Sequence, residues 1–348
     1  MRGCSLLLLN VLMASPDAGV AAAASLLNAC LHTEERDFTP FVSVAVRAYR
    51  RLPQLLELCQ RLLAQEYPHF EIVVIEQSGE LRERFRAELA ALARDARVRL
   101  LEYPALGAGH ARIEAARQSR GEIIVFIDDD DLPCGQTWLA TLVENFRNPR
   151  CMGVSGRQVF PGDSDSGRHD TTRNRRLCLR HSFLRMPRAR VQHHTRLEGV
   201  THVTGGNAAI RASAIERAGG WDPEDDHDED SFSFRFERVR LPGDFFAYDP
   251  RAVILRGLDV PGGLARRTQS VAERVRAELR YSHRVVRKYY PWRFFLLYPC
   301  YLWLAGARAL HHVRQAQPQR LWRTLLLELL WSGPIVYLEL LESLARGA

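Results

Sequence analysis

The segment GEIIVFIDDDDLP, Gly121 to Pro133, constrains this chain more than any other. Ile123 to Ile127 is an unbroken run of largely β-branched or aromatic residues, and it leads straight into four aspartates, Asp128 to Asp131. A short apolar run closed by Pro133 and Gly135 reads as a buried strand that ends at a turn. Being apolar at every position rather than every second one, it suits the middle of a parallel sheet covered on both faces. Ligands of open α/β sheets sit beyond the carboxyl ends of such strands, so the aspartates stand where chemistry is done. Four adjacent carboxylates repel one another and raise each other's pKa unless a cation neutralises them. Mg2+ or Mn2+ answers that need, because a hard divalent ion takes carboxylate oxygens and keeps positions open for phosphate. Taken alone, the segment also fits a solvated acidic turn.

The flanking pattern decides for an α/β architecture. FVSVAVRAYRR, Phe41 to Arg51, is an apolar strand that breaks at Arg47 to Arg50, and Pro53 opens a helix carrying Leu55, Leu58, Cys59 and Leu62 at helical spacing. EIVVIEQSGE, Glu71 to Glu80, is a second strand with its turn. Glu83 to Arg94 reads as helix and Val98 to Pro104 as a third strand. Gly107 and Gly109 then form a turn before a helix that leads into the aspartate strand. Strands alternating with helices predict a doubly wound, mostly parallel sheet flanked by helices, whose first half binds a nucleotide.

A chain of 348 residues has room for a real core, and 46% apolar with 26% charged residues is an ordinary globular composition. The net charge of +7 comes almost wholly from arginine, since Lys288 is the one lysine. Arginine suits bidentate phosphate contacts and points to anionic substrates or an anionic membrane surface, although genome base composition is an equal cause. No zinc-finger or RNA-binding signature accompanies the charge, which argues against nucleic acid as a partner. Seven scattered cysteines without a CxxC pair argue against a disulfide framework or structural zinc and for a reducing compartment. The doublets His193/His194 and His311/His312 lack metal-ligand spacing and read as surface or packing residues.

Three regions follow: 1–38, a leader, an extra helix or a misassigned start; 39–262, the catalytic domain; and 263–348, a C-terminal helical extension. Ser5 to Ala14 resembles a signal-peptide core but is too short to span a membrane. Phe294 to Ala307 and Leu325 to Leu341 are apolar but broken by Pro299 and by Glu328, Gly333, Pro334 and Glu339. They read as interfacial or core-packing helices, which makes peripheral contact with the inner face of the membrane an expectation. The stretch Pro161 to Thr201 reads as a polar, irregular, arginine-rich insertion, suited to an anionic acceptor.

The successive blocks VSVAVRAYRR, EIVVIEQSGE, GAGHARIEAARQSRGEIIVFIDDDD and GGNAAIRASAIERAGGWDPEDDHDEDSFSFR resemble those of the family 2 glycosyltransferases, enzymes of GT-A fold that invert the anomeric carbon. The resemblance spans roughly residues 41 to 260 and implies a cytoplasmic enzyme using a UDP-, GDP- or dTDP-sugar donor, with Mg2+ or Mn2+. It places Ala48, Tyr49 and Glu76 at the nucleoside, Arg112 near the nucleotide, and Asp128 and Asp130 as the metal-binding pair. Asp129 is counted with the donor-lining positions, yet it is the aspartate expected to point away. Gly205 and Gly206 bring a turn against the donor, and Asp230, beside Glu229, is the implied general base. Three positions depart from the pattern: Glu76 replaces an aspartate, Gln77 replaces an acidic neighbour, and Arg256 stands where a histidine is usual. The acceptor is implied to be a glycan or a lipid-linked sugar, in cell-surface polysaccharide or glycoconjugate synthesis. The alternatives are a catalytically inactive, membrane-docked scaffold of a glycan assembly complex and an aspartyl phosphotransferase. The second lacks support, because Leu132 stands where that class wants Thr or Val.

Overall fold

A computed structural model describes residues 38–161, 179, 191–223, 228–257 and 288–289. The chain falls into two compact units, Met1–Thr39 and Pro40–Ala348. The expected leader, most of the insertion and the C-terminal helices lie outside the described residues, and so do His311 and His312.

The apolar runs become strands as their patterns require. β1 (Val42–Ala48), β2 (Phe70–Glu76) and β4 (Ile123–Asp128) are buried at nearly every position. β3 (Val98–Glu102) joins β2 in parallel, β2 joins β1, and β1 joins β4, giving the order β3-β2-β1-β4. Helices connect these strands. α1 (Leu52–Leu63) starts with Pro53 in its first turn and buries Leu52, Leu55, Leu58, Cys59 and Leu62, one face at a 3.6-residue period. The stretch expected to be one helix after β2 is a 3-10 turn, Gly79–Phe85, followed by α2 (Arg86–Leu92). Gly107, with φ of 83°, makes the turn into α3 (Ala108–Gln118), which lies across β1 and β2.

Beyond β4 the pairing changes direction. Leu132–Pro133, expected only as a turn, forms the short β5; α4 (Trp138–Glu144) and β6 (Cys151–Val159) follow. β7 (Leu197–Val200) lies within the segment expected to be irregular. β8 (Ala208–Arg211) inserts antiparallel between β4 and β6, and β9 (Phe245–Leu255) runs parallel to β6 while accepting β5 and β7 antiparallel. The sheet order is therefore β3-β2-β1-β4-β8-β6-β9-β5, with most paired residues in parallel ladders: a mixed α/β fold.

Two helices close the second half. α5 (Ala212–Ala218) stops at Gly219 and Gly220, both at positive φ, and the Gly220 N–H donates back to the Ile215 carbonyl. α6 (Asp228–Val239) seats Phe232 and Phe236 in an aromatic cluster with Trp221, Phe126, Phe246 and Tyr248. Trp221 meets Phe126 edge-on at 5.2 Å, and Phe236 lies 4.7 Å from Phe246. Each such ring removes enough apolar surface from water to stabilise the fold by about 2–3 kcal/mol. That cluster fixes α6 relative to β4, and so fixes Asp230 relative to the aspartates.

Candidate functional site

Register alone gathers much of the site. Ala48 pairs with Glu76 across β1 and β2, and Arg47 pairs with Asp128 across β1 and β4, so three carboxyl ends lie side by side. Antiparallel β8 begins where β4 ends, which delivers Gly205 and Gly206 to the same edge. β5 pairs with the end of β9, bringing Arg256 beside the aspartates. The structure thus brings together Ala48, Tyr49, Glu76, Arg112, Asp128 to Asp131 and the Gly205–Gly206 turn. Asp230 lies on α6, whose first residues include Glu229; the Glu229 side chain lies outside the described residues.

Each aspartate has a different environment. Asp128 receives the Arg47 guanidinium on Oδ1 at 2.6 Å and that of Arg256 on Oδ2 at 3.4 Å. Burial alone would raise its pKa, but Arg47, Arg256 and Arg112 outweigh burial and hold it below the ordinary carboxylate range. Asp129 turns back into the loop after β1, taking the Tyr49 N–H at 3.0 Å and Arg51 at 2.9 Å. Burial pushes Asp129 up to about 6 against those partners. Asp130 lies 2.9 Å from Arg51 and is also raised, first by burial. Asp131 is fully buried, and no side chain among the described residues donates a hydrogen bond to its carboxylate. Burial and then the Asp128 charge push it well above its usual range.

The glycine turn is built to approach these acids. A Cβ on Gly206 would stand 3.0 Å from Asp131 Oδ2 and 3.1 Å from Asp128 Oδ2. The turn is held from three sides. Arg112, buried on α3 and stacked 5.3 Å over Phe126, donates to the Gly205 carbonyl at 2.6 Å. The Thr204 hydroxyl and the Gln158 amide donate to the Gly206 carbonyl at 2.6 and 3.0 Å. Arg256 in turn donates to Gln158 at 2.9 Å, linking Asp128 to the turn from the far side. Asn207, fully buried at φ of 54°, donates to the Arg157 and Ala252 carbonyls and accepts the Trp138 indole at 2.9 Å. Asparagine tolerates that left-handed conformation better than most residues.

The nucleoside end rests on Glu76 and its neighbours. Glu76 is fully buried; one oxygen accepts the Ser78 N–H at 2.6 Å and the other lies 3.7 Å from Arg82. Gln77 ties the loop after β3 to this edge by accepting the Leu106 N–H at 2.8 Å. Arg50 is held at φ of 61°, with its N–H on the Ser78 hydroxyl at 2.9 Å, a strained residue at the mouth of β1 and β2. The sequence reading missed Arg47, Arg51 and Gln158. Only the arginine excess hinted at the first two.

Among the described residues no three His, Cys, Asp or Glu side chains form a metal cluster. The donor set still suits a hard divalent cation. Asp128 and Asp131 converge on one glycine, Asp130 is adjacent, and the buried Asp131 carboxyl faces the Asp128 charge, a repulsion that such a cation relieves.

Comparison with known proteins adds to this geometry. The model of the family described as Glycosyl transferase family 2 matches residues 43–219, half of the chain. Over 129 residues the chain is 32% identical to the O-antigen biosynthesis protein RfbC of Myxococcus xanthus. That match takes in 35% of this chain and 10% of RfbC, so the chain spans about a tenth of that relative's length. The mannosyltransferase PcManGT from Pyrobaculum calidifontis, solved in complex with GDP-Man and Mn2+, superposes with a TM-score of 0.51 at 21% identity. The superposition covers 92% of this chain and 91% of that one.

Proposed function

The chain belongs to glycosyl transferase family 2, and on that premise we propose that it moves a sugar, with inversion, from a nucleotide-sugar donor to a glycan or lipid-linked acceptor. The observation that carries this reading is the convergence of Glu76, Asp128 and the Gly205–Gly206 turn on one sheet edge, with the turn pinned by Arg112. Glu76 and Tyr49 receive the nucleoside, and Gly206 lets the backbone come close to the diphosphate. Asp128 and Asp130 would hold Mg2+ or Mn2+, with Asp131 behind them. When bound, the ion neutralises charge on the departing diphosphate. Arg256 and Arg47 keep Asp128 ionised and oriented.

Asp230 takes the proton of the acceptor hydroxyl as the oxygen bonds to the anomeric carbon. The bond from that carbon to the diphosphate breaks on the opposite face, and its electron pair leaves with the nucleotide. Such general-base help is worth about 10² to 10⁴ in rate. The likeness to RfbC, an O-antigen biosynthesis protein, supports a place in cell-surface polysaccharide synthesis.

Calorimetric titration with UDP, GDP, dTDP and CDP, with Mn2+ and again with chelator, tests the reading on wild type and Asp130→Ala. We expect one nucleotide to bind, and its binding to disappear with chelator and with the substitution. A folded protein that binds none of the four sinks the transferase reading and leaves the scaffold.

A further inference from the structure

His202 sits between the end of β7 and the glycine turn, 1% exposed. Its ring meets Phe234 edge-on at 4.9 Å, its Nδ1 lies 3.1 Å from the Thr201 hydroxyl, and its Nε2 lies 3.9 Å from Asp230 Oδ1. Asp230 and Phe234 stand one helical turn apart on α6 and share a face, so the imidazole spans both. The residues that follow bolt this segment to both halves of the site. The Val203 N–H donates to Ser233 on α6 at 3.3 Å, the Thr204 N–H to Ser155 on β6 at 2.9 Å, and the Thr204 hydroxyl to Gly206. A run of six residues, Thr201 to Gly206, therefore touches the base at one end and the donor turn at the other.

A general base works only within hydrogen-bond reach of the proton it removes, and a misplacement of about 1 Å can cost about 10²-fold in rate. We propose that His202 is a positioning residue that fixes the Asp230 carboxylate relative to the Gly205–Gly206 turn, and so sets the distance between base and donor sugar. The inference rests on the reading of Asp230 as the base.

The test uses the full chain with Mn2+ and follows release of nucleoside diphosphate from UDP-, GDP- and dTDP-hexoses, with water as acceptor. His202→Gln places an amide nitrogen near the position of Nε2, whereas His202→Asn reproduces only the Nδ1 side. Positioning predicts kcat within about threefold of wild type for Gln and about 10–10²-fold lower for Asn, with donor KM and nucleotide affinity unchanged in both. In an Asp230→Asn background the two substitutions cause no further loss, because the effect passes through the carboxylate. Equal kcat for Gln and Asn overturns the proposal, as does a loss of the same size in the Asp230→Asn background. A single Asp230→Asn protein that keeps wild-type kcat with intact nucleotide binding removes the base itself, an outcome distinct from a failure confined to His202.

Discussion

The Arg112 guanidinium reaches the Gly205 carbonyl at 2.6 Å, joining α3 to a turn 93 residues further along the chain. A partly buried charge-assisted bond of this kind contributes more than an ordinary neutral one, because one partner is ionised. Arg112→Met is expected to lower the urea midpoint by the equivalent of about 1.5–3 kcal/mol and to weaken nucleotide binding together with it. Arg112→Lys should not restore either, since an ammonium cannot both stack on Phe126 and hold the carbonyl with a planar fork. Denaturant unfolding and calorimetry on the same samples check both parts.

Gly206→Ala separates the site from the fold. The nearest neighbours of the new methyl would be the Asp131 and Asp128 carboxylates, at 3.0 and 3.1 Å. Melting temperature should therefore stay near the wild-type value, while nucleotide affinity with Mn2+ falls by about tenfold or more, about 1.4 kcal/mol. Unchanged affinity would mean that the turn does not face the donor.

Glu114 gives a pH dependence with a defined sign. Its carboxylate accepts Arg117 and Gln118 and binds the Tyr103 hydroxyl, tying α3 to the end of β3. The hydrogen bond from Arg117 is the main cause that lowers Glu114 from 4.5 to about 2. A folded pKa below the unfolded one contributes stability above pH 4.5, and that contribution is lost as pH falls towards 2. The stability difference between wild type and Glu114→Gln should shrink across that window and stay flat above it, as read by denaturant midpoints.

The described cysteines should differ in reactivity. Burial pushes the thiols of Cys59 and Cys151 up to about 12, whereas Cys134 is exposed. Iodoacetamide at pH 8 should label Cys134 in the folded protein and reach Cys59 and Cys151 only after denaturation, as peptide mapping would reveal.

What the sequence made legible was local. The unbroken run Ile123 to Ile127 announces a strand buried on both faces, and β4 is one. Pro53 and the leucine spacing announce α1, and the carboxyl-end rule places Glu76 and Asp128 on one edge. What stayed hidden depends on contacts far apart in sequence. Arg47 and Asp128 are 81 residues apart, and Arg256 and Asp128 are 128 apart, with no periodicity to link them. The same holds for β5, whose two residues are a strand only because β9 lies beside them. The burial of Arg112 follows from Phe126 and Gly205, neither of which is near it in the chain.

The insertion of β8 between β4 and β6 has a consequence for synthesis on the ribosome. The four aspartates and the strands behind them emerge first and can pair among themselves, but one side of β4 remains an open apolar edge until β8 arrives. β6 cannot cover that edge, since its own partners are β8 and β9. A nascent chain stalled after β4 would carry Glu76 and the aspartates that follow β4, but neither the glycine turn that faces them nor Asp230, and an exposed strand edge inviting a neighbouring chain.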